Sequence, residues 1–388
     1  MLGVLVSVAL LGASLLAAEP PPAEVEARIK AGQSALAARQ YAAAKKEFKA
    51  VLAADPANAT AHISLGIVAL VDGDSVAGLQ HFSAVPGDAR ALIGRLDCEL
   101  RLNKIAEARG TAVKLNAMIA GDAAASGHVG TLLAKAGESA AAIPFLRRVQ
   151  GAAAANLLGS AEENAGNMLA ALEAFAVAAR LEPGNEDYRV DYAAMLLTNG
   201  NIEGSVAAFR AAAQEFTKSS RVRLGLGSAL YLAGQHEAAA AALLEAVRID
   251  PGPRAFDLLG KAYESAGALQ QQIHVEFEKY LAPRPDDAAA YAHYAAILQA
   301  DGGNPQNVMQ ALTRALELDP DLFSAHLQMG ILEQAAGNLT AALERYERAA
   351  QLEPENATLH YRLSSLYKKL GNEEKARSEL EKFRRLKR

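Results

Sequence analysis

The chain has no tryptophan, one cysteine and only 5% aromatic residues in a length of 388. A lone cysteine, Cys98, has no partner in the chain, which excludes an intrachain disulfide scaffold. Neither sign of charge dominates: 39 Lys and Arg against 44 Asp and Glu leave a net −5. No global field therefore points to nucleic acid or to an anionic membrane. Glycine shows no three-residue period and 51% of residues are apolar, which excludes collagen-like and disordered chains. Beyond residue 18 no stretch reaches the roughly 20 apolar residues that a bilayer-spanning helix needs.

Catalytic signatures are missing as well. There is no Gly-x-Ser-x-Gly elbow, no His-Glu-x-x-His and no Cys-x-x-Cys. Gly260-Lys261 lacks the earlier glycine of a phosphate loop, where Ala255 stands, and Gly225-Leu-Gly227 lacks the third glycine of a dinucleotide fingerprint. The eight histidines form no pair at the three- or four-residue spacing of helical metal ligands. These absences lead to the expectation of a non-enzymatic chain with no cofactor and no metal.

What is present is alanine, 87 residues of it. Alanine is the strongest helix former and lets helices approach closely, so the composition predicts an all-α fold. Residues 1–18 carry no charge, and the apolar core Leu2–Leu16 followed by small residues reads as a signal peptide, or as an anchor if it is not cleaved. Residues 19–24, with Pro20, Pro21 and Pro22, read as a stiff spacer. A periplasmic or secreted location follows as an expectation, with no membrane insertion once the signal is removed.

A repeat runs through the rest. Glycines at 166, 200, 234, 267, 302, 337 and 371 recur at spacings of 34, 34, 33, 35, 35 and 34. Pro56, Pro183, Pro251, Pro285, Pro320 and Pro354 recur with them, each ending a second helix that proline cannot continue. In residues 323–354 the first helix presents His326, Met329, Gly330 and Glu333. The second presents Ala342, Tyr346 and Ala349 on one face. Small residues at 330 and 342 allow close approach, with Tyr346 filling the space beside them. The same frame fits 152–183 through Leu158, Gly159, Ala171, Phe175 and Ala178, and 220–251 through Leu226, Gly227, Ala239, Leu243 and Ala246.

This pattern resembles the tetratricopeptide repeat family. It gives eleven units starting near 25, 59, 89, 123, 152, 186, 220, 253, 288, 323 and 357, filling residues 25–388. Units three and four depart from it: Leu96 and Gly110 are read at places where the family has glycine and a bulky residue. Units two and four are short by about one helical turn, so irregular packing is expected near Val85-Pro86-Gly87 and Gln150-Gly151. Units five to eight read as the longest regular run, unit eight carrying one extra residue. The resemblance implies an α-solenoid, a right-handed superhelix of antiparallel helix pairs.

The family also implies where a partner would bind, on positions two, five, nine and twelve of each first helix. Those positions bring Ile29, Gln33, Ile63 and Ile67 in the first units, then Asn156, Ser160, Glu163, Val190, Leu224, Ser228 and Tyr231. Asp257, Lys261 and Glu264 follow as a mixed-charge row, and Leu327, Ile331, Tyr361, Ser365 and Lys368 complete the set. Such a groove suits an extended peptide or a partner helix, so the expected function is a protein-binding scaffold in envelope assembly or secretion. The alternative is an accessory subunit of a glycan-processing or export machine, which the scarcity of aromatic residues disfavours. Residues 357–388 hold ten Lys and Arg against four Glu, a net +6 that leaves −11 over everything before them. His62, His326 and His360, at one repeat position, and Cys98 read as packing residues. The sequons at Asn58, Asn338 and Asn356 fall where turns favour asparagine.

Overall fold

The computed structural model describes residues 22–387; the expected signal segment and most of the expected spacer lie outside them. Among the described residues there are twenty-two α-helices and two 3₁₀ turns, with no strand. The chain divides into two compact bodies, one ending at Leu181 and the other beginning at Glu182.

The first body holds five helix pairs. They are α1 (Pro22–Ala37) with α2 (Tyr41–Ala54), α3 (Ala59–Val71) with α4 (Ser75–Ser83), and α5 (Ala89–Arg101) with α6 (Ile105–Met118). Then come α7 (Ala123–Lys135) with α8 (Ser139–Leu146) and α9 (Ala152–Asn164) with α10 (Met168–Leu181). The second body holds six pairs. They start with α11 (Glu186–Thr198) and α12 (Ile202–Glu215), α13 (Ser220–Leu232) and α14 (His236–Ile249), then α15 (Pro253–Ala262) and α16 (Gln270–Leu281). The last three are α17 (Ala288–Ala300) and α18 (Pro305–Leu318), α19 (Phe323–Ala335) and α20 (Leu339–Leu352), and α21 (Ala357–Lys369) and α22 (Glu373–Leu386). The helix begins at Pro22, inside the expected spacer, because proline's fixed φ suits a first helical turn.

Two local rules make each pair. Many first helices open on an Asn or Asp whose side chain accepts a backbone N–H: Asn58 from Ala61, Asp122 from Ala125, Asn356 from Leu359. Each pair then turns at a residue in the left-handed region, φ 55° to 83°: Arg39, Gly73, Asn103, Gly137, Gly166, Gly200, Gly234, Gly267, Gly302, Gly337 and Gly371. These eleven turns mark eleven units, nine of them on glycine, the residue that meets no Cβ penalty there.

Packing across the pair follows the glycine and the ring opposite it. A Cβ on Gly66 would stand 2.6 Å from Phe82, on Gly159 2.7 Å from Phe175, and on Gly330 2.5 Å from Tyr346. The rings also reach the next pair: Gly94 would meet Phe82, and Gly225 Phe209, at 2.3 Å each. Burying one such ring stabilises by about 1.5–3 kcal/mol. In the third pair the sizes are exchanged, since Leu96 is fully buried on α5 and Ala112 faces the same core from α6. Gly110 is exposed and takes no part, so the bulky place in that unit falls on Ala112. Units three and four thus fold as helix pairs despite their departures. Units two and four show the expected shortening: α4 has nine residues and α8 eight, with Pro144 inside it.

Unit eight departs most from the expected regular run. Its first helix stops at Ala262 and gives way to 3₁₀ turns at Tyr263–Ser265 and Gly267–Leu269. Phe256 stacks on Tyr280 at 3.9 Å and meets Phe277 edge-on at 5.0 Å, and these rings hold α15 and α16 apart. The space beside Gly260 is filled by His293 of α17, where a Cβ would come within 2.5 Å, and not by its own second helix.

Candidate functional site

A cavity of about 280 Å³ opens between α13, α14 and α15. Its floor is Gly227, Leu243 and Leu258, and Ser228, Tyr231, Leu232 and Lys261 complete the lining. Three residues expected in the groove, Ser228, Tyr231 and Lys261, therefore share one site. Gly227 keeps the floor low, since any side chain there would run into Leu243 at 2.6 Å. Tyr231 is half-buried, with its ring edge-on to His236 at 5.0 Å. Leu232 is 59% exposed beside it.

At one side of the cavity Lys261 Nζ donates to Asp257 Oδ2 at 2.7 Å, and His293 Nε2 lies 3.0 Å from Asp257 Oδ1. Burial opposes ionisation of Asp257, yet the bonds from Lys261 and His293 prevail and hold its carboxyl below the usual carboxylate range. Glu264 is not the next step of that row. It sits in the first 3₁₀ turn, because α15 has already ended.

A sequence profile of the tetratricopeptide repeat family matches residues 29–89 and 195–252, and a second matches residues 333–385. With eleven left-handed turns at the family's spacing already on the chain, these matches decide the family. The chain is a tetratricopeptide repeat protein. Among solved structures it is similar to yeast Tom70, at 14% identity over 93% of this chain and 92% of that one, TM-score 0.46. It is also similar to YrrB, described as a TPR protein with an unusual peptide-binding site, at 18% identity over 48% of this chain and 96% of that one, TM-score 0.38. MamA from Desulfovibrio magneticus RS-1 matches at 20% identity over 43% of this chain and 94% of that one, TM-score 0.35. No curated protein matches the sequence.

The remaining expected groove residues of this TPR array lie in separate places. Asn156 is on α9 in the first body, half-buried, with its backbone oxygen accepting from Ser160. Val190 and Leu224 pack partly buried against the cores of the second body. Leu327 and Ile331 pack against the cluster of the last two repeats. Tyr361 is 55% exposed, 5.3 Å from the Phe383 ring, and Lys368 is exposed at the end of α21.

The first body carries a larger groove of about 470 Å³. Gln33, Ile63 and Ile67, all at family groove positions, line it together with Phe82, Ile93 and His128. One signal was missed. His62, His326 and His360 each place Nε2 within 2.8–3.0 Å of the carbonyl of the proline six residues earlier, Pro56, Pro320 and Pro354. The spacing Pro-x₅-His is visible in the sequence as a stitch from the inter-repeat turn to the next first helix. Only His326 and His360 are buried.

Three tyrosines of repeats eight and nine are paired with acids: Tyr263 with Asp301, Tyr280 with Asp287, Tyr294 with Glu278. Burial and the Glu278 carboxylate push the Tyr294 hydroxyl up to about 12. Their hydroxyls are committed within the fold. Among the described residues no cluster of three or more His, Cys, Asp or Glu is placed to hold a metal, and no helix is long and apolar enough to cross a membrane.

Proposed function

We propose that this protein is a non-catalytic scaffold that binds a segment of another protein, anchored in the cavity under Tyr231. The tetratricopeptide fold suits protein–protein interaction, and the cavity carries the finer reading. At about 280 Å³ it is smaller than most small-molecule sites, which run from roughly 300 to 1,000 Å³, and fits an apolar side chain of a larger partner. A half-buried tyrosine beside an exposed leucine is the kind of anchor that concentrates binding energy at interfaces. Charge selects the flanks. Residues 182–356 hold 24 Asp and Glu against 13 Lys and Arg, whereas residues 1–181 are balanced at 16 each. The segment favoured there is apolar at its centre and basic on either side.

The test is a panel of fluorescent peptides, each with one large apolar residue flanked by lysines or by glutamates, titrated against the protein. Lysine-flanked peptides should bind more tightly, and Tyr231→Ala should weaken them about tenfold or more, as loss of an interface anchor does. Undiminished binding by a folded Tyr231→Ala variant would place the site elsewhere. An extracytoplasmic setting, with a role in envelope assembly or secretion, accompanies this reading through the uncharged apolar segment at residues 1–18. N-terminal sequencing of protein from the native host checks it, and a retained Met1 on soluble cytoplasmic protein would overturn it.

A further inference from the structure

We infer that His62 and His81 form an acid-released latch, which holds α4 on α3 and so keeps one wall of the first body's groove in place. The two rings meet through their Nδ1 atoms at 3.2 Å, with centroids 5.4 Å apart. His62 Nε2 lies 3.0 Å from the Pro56 carbonyl oxygen, which can only accept, so that nitrogen carries a proton. In neutral His62 the lone pair is then on Nδ1, and the bond between the rings requires His81 to donate from its own Nδ1. One further proton is accommodated on His81 Nε2. The next, on His62 Nδ1, sets N–H against N–H between two charged rings, and the contact becomes repulsive.

The surroundings favour release and do not resist it. Burial, His62, and Lys49 and Lys45 on α2 all hold His81 below the usual histidine range, and no carboxylate is among the groups acting on it. Lys45 itself reaches Asp72 at 3.4 Å. From α5 the titratable group packed on α4 is Cys98, whose thiol burial pushes up to about 11, so it stays neutral throughout. The unfolded chain therefore takes up its proton at higher pH than the folded one. The stability that the neutral pair contributes is therefore present above the ordinary histidine range and falls as pH drops below it, the rings parting once the second proton is taken up.

The consequence reaches the groove through the next residue. Phe82 is fully buried against Gly66 of α3 and Gly94 of α5, and it lines the cavity with Ile63, Ile67 and Ile93. At nine residues, α4 is shorter than the other second helices outside α8, which have twelve or more.

Cys98 reports the motion directly. It is the only cysteine, it is fully buried, and its sulfur lies 2.9 Å from where a Cβ on Gly78 of α4 would stand. The experiment measures the rate at which Cys98 of the full chain reacts with an acid-active pyridyl disulfide, normalised at each pH to the denatured chain. Between about pH 7.5 and about pH 5 the normalised rate should rise about tenfold or more in the natural protein. His81→Gln and His62→Gln, checked for unchanged helical content at neutral pH, should hold the rise to about threefold or less. The two variants are independent, so a folding defect in one leaves the other to decide. A flat profile in the natural protein, or an equal rise in a folded variant, overturns the latch.

Discussion

Glu99 is 1% exposed, and it is half-satisfied: Arg95 Nε donates to Oε1 at 2.6 Å, while Oε2 has no hydrogen-bond partner. The same position in other repeats shows what is missing. Glu162, equally buried, receives Asn167 Nδ2 at 2.8 Å on Oε2, and Glu333 receives Asn338 at 2.7 Å. In repeat three the residue five places on is Lys104, exposed and making no side-chain cap. An unpaired buried carboxylate oxygen costs more than a typical hydrogen bond returns. Lys104→Asn should therefore stabilise the protein by about 1 kcal/mol, read as a higher urea midpoint at unchanged slope. A lower midpoint would show that Glu99 has another donor in solution.

The left-handed turn is where element geometry shows most clearly in the residues. Arg39 and Asn103 adopt φ 57° and 56° at places where nine other repeats have glycine. A side chain there costs roughly 1–2 kcal/mol, and glycine gives back part of that through the greater freedom of the unfolded chain. Arg39→Gly should gain about 0.5–1 kcal/mol, and Asn103→Gly less, since asparagine tolerates this conformation better. Thermal melts of the two single variants check both size and order. The glycine period made the helix pairs from Gly166 onwards legible from the sequence, because glycine is the residue that meets no Cβ penalty at that turn; Arg39 and Asn103 hide the same turn in repeats one and three. Repeat eight was not legible. Its Gly267 keeps the period, yet Phe256, Phe277 and Tyr280 decide the packing by their bulk, and a spacing rule carries no information about bulk. The candidate site was legible in part for the same reason. Ser228, Tyr231 and Lys261 follow from helix periodicity, whereas Leu243 and Leu258 enter the cavity through packing between helices.

At the scale of the molecule, the substantial contacts within each body run between helices that are neighbours or next-neighbours along the chain, such as α19 with α20, α20 with α21 and α17 with α19. Stability in such an array is close to a sum of local terms and nearest-neighbour terms. That makes a sharp expectation for one over-packed site. Gly330 faces the fully buried Tyr346 ring, and a leucine there has no room unless the ring or α20 moves. Over-packing of this kind costs about 1–3 kcal/mol. A single cooperative core would spread the loss everywhere; a solenoid confines it. With Gly330→Leu, amide hydrogen exchange should quicken in α19 and α20, less in α18 and α21, and not at all in α1 and α2. Phe48 and Gly32 pack that first pair by themselves, with no contact passing through repeat ten. If α1 and α2 lost protection as much as α19, the additive description of this array would fail, and stability would have to be carried by coupling over many repeats.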